Sequence, residues 1–193
     1  ITYAYDVANQ TTVVANLKSD GSTHSRFTYT YDDVGNRTQV AESATDLTTW
    51  TYDAINQLKS EHRSGGTAFR ITHTYDAAGN RTTKNDTGTS TAYNYDVANQ
   101  LTTSMVGAAK TTYVYDSAGN LRALNNSGAI TTYTWNDENR LSVYTTGNTF
   151  TYNGDGKRVQ VQDATSTTKF IWDLENIQAE TDGSDVNKTI FTL

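Results

Sequence analysis

The sequence predicts an all-β protein: tandem β-hairpins zipped side by side into one long, curled or spiral antiparallel sheet, a section of a shell or barrel. Three columns of residues predict it. An aromatic residue followed by Asp or Asn recurs nine times along the 193 residues. A second ring stands two residues before each of these anchors. Four residues after each anchor only Asn or Gly occurs.

The anchors are Tyr5-Asp6, Tyr31-Asp32, Tyr52-Asp53, Tyr75-Asp76, Tyr95-Asp96, Tyr115-Asp116, Trp135-Asn136, Tyr152-Asn153 and Trp172-Asp173. Successive anchors stand 26, 21, 23, 20, 20, 20, 17 and 20 residues apart. Self-similarity at that period marks a repeat array. The second column is Tyr3, Tyr29, Trp50, His73, Tyr93, Tyr113, Tyr133, Phe150 and Phe170. A spacing of two puts both columns on one face of a strand. The residues around them are largely Thr, which suits a pleated surface.

The third column reads Asn9, Gly35, Asn56, Gly79, Asn99, Gly119, Asn139, Gly156 and Asn176. Asn and Gly are the residues that best tolerate positive φ. An Asp at the first position and such a residue at the fourth describe a type I turn closed by a left-handed residue and a bulge. The Asp carboxylate can accept N–H groups of its own turn.

A second turn signal follows each short strand: Asp20-Gly21, Gly65-Gly66, Thr87-Gly88, Gly107, Ser127-Gly128, Gly147 and Asp182-Gly183. Each repeat is thus two strands and two turns, with the Tyr-Asp turns on one sheet edge and the second loops on the other. The long first spacing places extra residues between Thr11 and Phe27. The 17-residue step implies a shortened loop at residues 145–148. One hairpin buries too few rings to offset the entropy of ordering its backbone, so the repeats fold only by associating.

The repeat runs from end to end without a composition shift, so residues 1–193 form one array. Phe191 and Leu193 stand where a further ring pair is due, so the chain begins and stops at the same phase. That expectation makes it a fragment of a longer chain, or one whose end strands pair with other copies into a polymer. Nine repeats give about 18 strands at ~4.8 Å, roughly 86 Å of sheet. That width is a piece of wall, too short to close around a folded cargo.

The chain holds no Cys and no Pro. Disulfides and thiolate metal sites are therefore excluded, and sheet ladders run without a proline break. No apolar run is long enough to span a membrane. The net charge of −6, without a basic patch, argues against nucleic acid as a partner. A row of carboxylates could be read as calcium ligands, but each turn supplies only one, and calcium needs several oxygens at one point. No cofactor is implied. His24, His62 and His73 share no metal-ligand spacing. No nucleophile elbow is present and no carboxylate pair stands out, so the reading is non-enzymatic. Arg37, Arg81, Arg122, Arg140 and Arg158, just past their turns, are read as solvated cross-strand partners. The rings are read as stacked core, with a glycan- or protein-binding surface as the alternative.

The pattern Tyr-Asp-x-x-Gly-Asn-Arg at residues 31–37 and 75–81 resembles the YD-repeat, or RHS-repeat, family. Trp135-Asn-Asp-Glu-Asn-Arg-Leu141 resembles it too, and the likeness covers the whole chain. The stretch from Tyr152 to Asp182 looks, more loosely, like the approach to the core that closes family members. The family includes bacterial polymorphic toxins, toxin-complex subunits, wall-associated proteins and teneurins. The resemblance implies a spiralled β-sheet that forms a hollow shell, in bacterial members around a C-terminal toxin. It implies a secreted or surface-displayed bacterial protein whose partners are the rest of its polypeptide or a cargo. The family's self-cleaving core uses an Asp-Pro motif, which a proline-free chain lacks. The residues that carry the resemblance are Tyr5, Asp6, Tyr31, Asp32, Gly35, Tyr52, Asp53, Tyr75, Asp76, Gly79, Tyr95, Asp96, Tyr115, Asp116, Gly119, Trp135, Tyr152, Gly156, Trp172 and Asp173, all in structural roles.

Overall fold

A computed structural model describes residues 1–43, 45–145 and 147–191. Two expectations touch the remainder. Leu193 lies outside the described residues, and so does Thr146 of the shortened loop. All regular structure among the described residues is β. The chain divides into two compact units, residues 1–108 and 109–193.

The first unit is a ten-stranded meander: β1 (Thr2–Tyr5), β2 (Thr11–Leu17), β3 (Thr23–Tyr31), β4 (Arg37–Ala41), β5 (Leu47–Tyr52), β6 (Leu58–Arg63), β7 (Phe69–Tyr75), β8 (Arg81–Asp86), β9 (Thr89–Tyr95) and β10 (Leu101–Val106). Each strand pairs antiparallel with the next in sequence. The second unit repeats the plan with β11 (Ala109–Tyr115), β12 (Leu121–Asn126), β13 (Ala129–Trp135), β14 (Leu141–Tyr144), β15 (Asn148–Tyr152), β16 (Arg158–Gln162), β17 (Thr167–Asp173), β18 (Asn176–Asp182) and β19 (Asn187–Ile190). Its strands also pair in sequence order. The hairpin array expected from the residue columns is therefore the fold.

The odd-numbered strands from β1 to β15 end on an anchor ring. At Tyr5, Tyr31, Tyr52, Tyr75, Tyr95, Tyr115, Trp135 and Tyr152 the ladder slips, and the anchor pairs with the residue six positions on. The residue four after the anchor is left-handed in each case: Asn9, Gly35, Asn56, Gly79, Asn99, Gly119, Asn139 and Gly156. One extra residue per turn thus forms a bulge and sharpens the twist.

The ninth turn departs from expectation. Trp172 pairs with Ile177, five positions on, and Asp173 pairs with Asn176. The ladder still slips between Ile171 and Trp172, with Ala179 opposite Ile171, but the turn itself is shorter. Asn176 is extended, and Leu174 takes the positive φ of 50° in a two-residue turn. The second loop at Asp182-Gly183 differs as well: the left-handed residue is Asp185. This loop uses the anchor-type turn, with Asp182 capping it and its fourth residue left-handed. At Thr87-Gly88 and Ser127-Gly128 both residues have positive φ, the tight hairpin turn that matches strand twist.

Side chains alternate in exposure along the odd strands. In β9, Tyr93 and Tyr95 are half-buried while Ala92 and Asn94 are exposed. A single sheet layer leaves even its better-covered face partly open. Ala15, Val40, Thr48, Ala179 and Thr181 are the fully buried residues among those described. The rings expected to stack as core are half-buried instead, apart from Tyr3 and Tyr5, which are exposed.

Candidate functional site

Chemistry repeats along one sheet edge, at the anchor turns. There the leading carboxylate is consumed by its own turn. Asp6 Oδ1 accepts from the N–H groups of Ala8 at 2.9 Å and Gln10 at 2.8 Å. Asp32, Asp53, Asp76, Asp96 and Asp116 make the same pair of contacts at distances from 2.8 to 3.2 Å. Asn136 and Asn153 substitute an amide oxygen in the same geometry. This is a cap for backbone donors that would otherwise lack partners. Asp173, in the two-residue turn, faces Gln178 Nε2 at 3.5 Å.

Hydrogen bonding to the ionised form lowers three of these acids, Asp32, Asp76 and Asp116. The Asn80 side chain, then its backbone N–H, holds Asp76 below the ordinary carboxylate value. Asp116 is lowered chiefly by the Asn120 N–H. At Asp32 burial pushes upward, and the bonds from Asn36, Val34 and Gly35 outweigh it. A carboxylate committed to its own backbone is poorly placed for acid–base work or metal ligation. No group of three or more candidate metal ligands occurs among the described residues.

The anchor rings join one hairpin to the next. Tyr31 donates its hydroxyl to the carbonyl of Thr11 at 2.7 Å, Tyr52 to Arg37 at 2.9 Å, Tyr75 to Leu58 at 2.8 Å and Tyr95 to Arg81 at 3.0 Å. Tyr152 donates to Leu141 at 2.9 Å. Trp135 and Trp172 do the same through Nε1, to Leu121 at 2.8 Å and Arg158 at 2.9 Å. Every acceptor is the residue six after the preceding anchor, the one that pairs with that anchor at the bulge. Tyr115, half-buried, ends β11. The acceptor position was invisible as a residue type, because a backbone carbonyl serves whatever side chain it carries.

The turns also contact one another in alternation. Turns that end Gly-Asn send the Asn amide forward. Asn36 Nδ2 donates to Asn56 Oδ1 at 2.8 Å, Asn80 to Asn99 at 2.8 Å and Asn120 to Asn139 at 2.9 Å. Turns that end Asn-Gln, or Asn-Arg, lay their long side chain over the next glycine. A Cβ added at Gly35 would meet Gln10 Nε2 at 3.0 Å, one at Gly79 would meet Gln57 Nε2 at 3.2 Å, and one at Gly156 would meet Arg140 Nη1 at 3.1 Å. The period is therefore two hairpins. The sequence carried the signal, since the residue five after each anchor alternates in step with the Asn and Gly column.

Four of the arginines past the turns, Arg37, Arg81, Arg140 and Arg158, lie over rings. The Arg37 guanidinium stands 4.5 Å from the Tyr29 ring centre, and Arg81 4.8 Å from Tyr93. Arg158 sits between Phe150 at 5.8 Å and Phe170 at 5.4 Å. A planar cation on a half-buried ring gains both packing and quadrupole attraction. Arg140 combines a ring contact at 5.2 Å to Tyr152 with an ion pair to Glu138 at 2.9 Å.

His73 fills the ring column beside Tyr75, at 6.4 Å between centres. An open groove of about 610 Å³ is lined by Asn153, Asp155, Lys157, Trp172 and Glu175. Lys157 already occupies the Trp172 ring face at 5.4 Å and pairs with Glu175 at 3.2 Å.

These features define a class: a tandem hairpin-repeat protein whose recurrent residues serve turn capping and hairpin-to-hairpin bonding. Residues 75–112 and 115–151 match the family model of the RHS repeat. Over those residues the chain is similar to the RHS repeat, as the Tyr-Asp columns implied. No curated protein sequence matches it. Solved structures do, at the level of fold. The TcdB2-TccC3-Cdc42 crystal structure aligns with a TM-score of 0.53 at 14% identity, over 97% of this chain and 11% of that one. TcdB2-TccC3 gives 0.53 at 14%, over 95% and 12%. The same pair without its hypervariable C-terminal region gives 0.54 at 15%, over 95% and 11%. The chain thus spans about a ninth of the length of these structures.

Proposed function

We propose that this chain is a non-enzymatic section of wall in a curled β-shell that encloses a toxin or other cargo, within a secreted or surface-displayed bacterial protein. On this reading residues 1–193 act as one array, and the partners are the rest of the polypeptide and the enclosed segment. The observation that carries it is the bond from the anchor rings Tyr31, Tyr52, Tyr75 and Tyr95 to the carbonyl six residues after the preceding anchor. The bond makes every hairpin the template for the next, so the sheet extends without a fixed end. The capped carboxylates support a structural role for the acidic turns. The fold shared with TcdB2-TccC3 assemblies supports a place in a large wall.

Limited proteolysis of the full-length polypeptide tests this. The segment outside the array should be protected while the array is intact. Tyr75→Ala combined with Tyr95→Ala should open it to cleavage at protease levels that leave the wild type untouched. Equal cleavage in both proteins would overturn the proposal.

A further inference from the structure

Two residues stand between each anchor Asp and the left-handed position, and they form the tip of the turn. In the first unit the tips read Val7-Ala8, Asp33-Val34, Ala54-Ile55, Ala77-Ala78 and Val97-Ala98, and all of them are exposed. Val34 and Ile55 are each 71% exposed and Val97 106%. Turn tips ordinarily carry Gly, Asp, Asn or Ser. The fold does not demand the change. In the second unit Asn136 and Asn153 cap their turns with the same contacts, yet the tips there are Asp137-Glu138 and Gly154-Asp155. Beneath the apolar tips the backbone is satisfied from within. Asp96 Oδ1 accepts from the N–H groups of Ala98 and Gln100, both at 2.9 Å, and the Asp96 carbonyl accepts from Asn99 at 3.1 Å. Asp32, Asp53 and Asp76 do the same in their own turns.

We propose that this rim of the first unit docks on the surface of a zwitterionic lipid bilayer, with Val34, Ile55 and Val97 entering the boundary between headgroups and acyl chains. Spacing, area and backbone satisfaction choose a lipid over a protein. Successive tips stand two strands apart, ~10 Å. A bilayer takes each apolar point separately, whereas a protein would need a matched pocket for every one. The Val and Ile tips offer on the order of 100 Å² each, well short of the ~800 Å² that each partner buries in a stable protein interface. In each turn three consecutive N–H groups already have acceptors, which suits backbone entering a medium poor in water. No tip of this unit carries Lys or Arg, and the chain's net charge is −6. Anionic headgroups would therefore repel it, and the attraction is apolar. Val34 and Ile55 lie between other turns of the same unit, so their exposure belongs to the rim and not to an end of the chain. The proposal does not depend on whether the array encloses a cargo.

Flotation of the full-length polypeptide with phosphatidylcholine vesicles tests this. The wild type should float with the vesicles. Val34→Ser, Ile55→Ser and Val97→Ser together should lower the bound fraction by roughly tenfold or more. Their melting temperature should match the wild type, because these side chains already lie largely in water. Asp137→Ser with Glu138→Ser should leave flotation as it was. An environment-sensitive dye on Val97→Cys should shift to the blue on vesicles, and one on Glu138→Cys should not. Equal flotation of the wild type and the triple variant, or no flotation of the wild type, would overturn the site. Binding that needs anionic lipid would overturn the zwitterionic choice. A wild-type dimer in sedimentation that the triple variant abolishes, without flotation, would assign the rim to a protein contact and overturn the proposal.

Discussion

Asn36 Nδ2 bridges two turns: it donates to Asp32 Oδ2 at 3.0 Å within its own turn and to Asn56 Oδ1 at 2.8 Å on the next. Asn80 repeats this with Asp76 and Asn99, and Asn120 with Asp116 and Asn139. Both amide hydrogens of one side chain are used, one to close a turn and one to fix its neighbour.

That bridge predicts an asymmetry between two substitutions at Asn80. Asn80→Ala should cost about 1–2 kcal/mol in urea unfolding, the net worth of two part-exposed hydrogen bonds. Asn80→Asp should cost more at pH 7, because a second carboxylate would face Asp76. The excess should vanish as the pH falls below the carboxylate range.

The alternating turns predict that glycines of equal φ differ in their tolerance. Gly79 has φ 89° and Gln57 Nε2 stands 3.2 Å from an added Cβ; Gly88 has φ 93° and open space. Both Gly→Ala changes carry the left-handed penalty of about 1–2 kcal/mol. Gly79→Ala should cost more by thermal melting, and Gln57→Ala should recover that difference. The same double change at Gly88 should recover nothing.

The ring-to-carbonyl bonds predict position-dependent effects of Tyr→Phe. Tyr75→Phe leaves the Leu58 carbonyl without its 2.8 Å donor and should cost about 1 kcal/mol. Tyr144→Phe, at a 38% exposed ring outside the anchor column, should be close to neutral in denaturant unfolding.

His73 predicts a pH effect near neutrality. Burial first, then Arg81 and Lys84, push its pKa below the ordinary 6.5. Its Nδ1 is buried without a partner. The fold therefore favours the neutral ring. The stability linked to this site is present above pH 6.5 and is lost as the pH falls through the lowered folded value. His73→Tyr restores the column's usual ring. It should raise stability at pH 5 more than at pH 8 in denaturant titrations.

Asp163 predicts an acid limb. The N–H of Thr165 leads, followed by the Thr165 hydroxyl and both donors of Ser166, in pushing its pKa from 3.8 to about 2. Its contribution is present above pH 3.8 and is lost as the pH falls towards 2. Asp163→Asn should flatten the pH dependence of stability in that interval.

Much of this was readable from residue order. The Tyr-Asp spacing gave the strand ends, and the Asn and Gly column gave the left-handed position in eight turns. Both depend on local rules of side-chain period and positive φ, which need no knowledge of neighbours. The ninth turn was misread because Asn176 keeps the residue type of its column while the ladder drops one residue, and pairing register is set between strands. The ring partners of the arginines were not legible for a related reason. Charge does not name the partner, and the ring beneath Arg37 belongs to the facing strand.

The sequence by itself determined a period of two strands and two turns, the aromatic face, and the capped carboxylates, because each arises within a few consecutive residues. Only the tertiary structure decided how one hairpin grips the next. The carbonyls that receive Tyr31 and Tyr52 belong to the backbone, and the amide of Asn36 meets Asn56 only once two turns lie side by side.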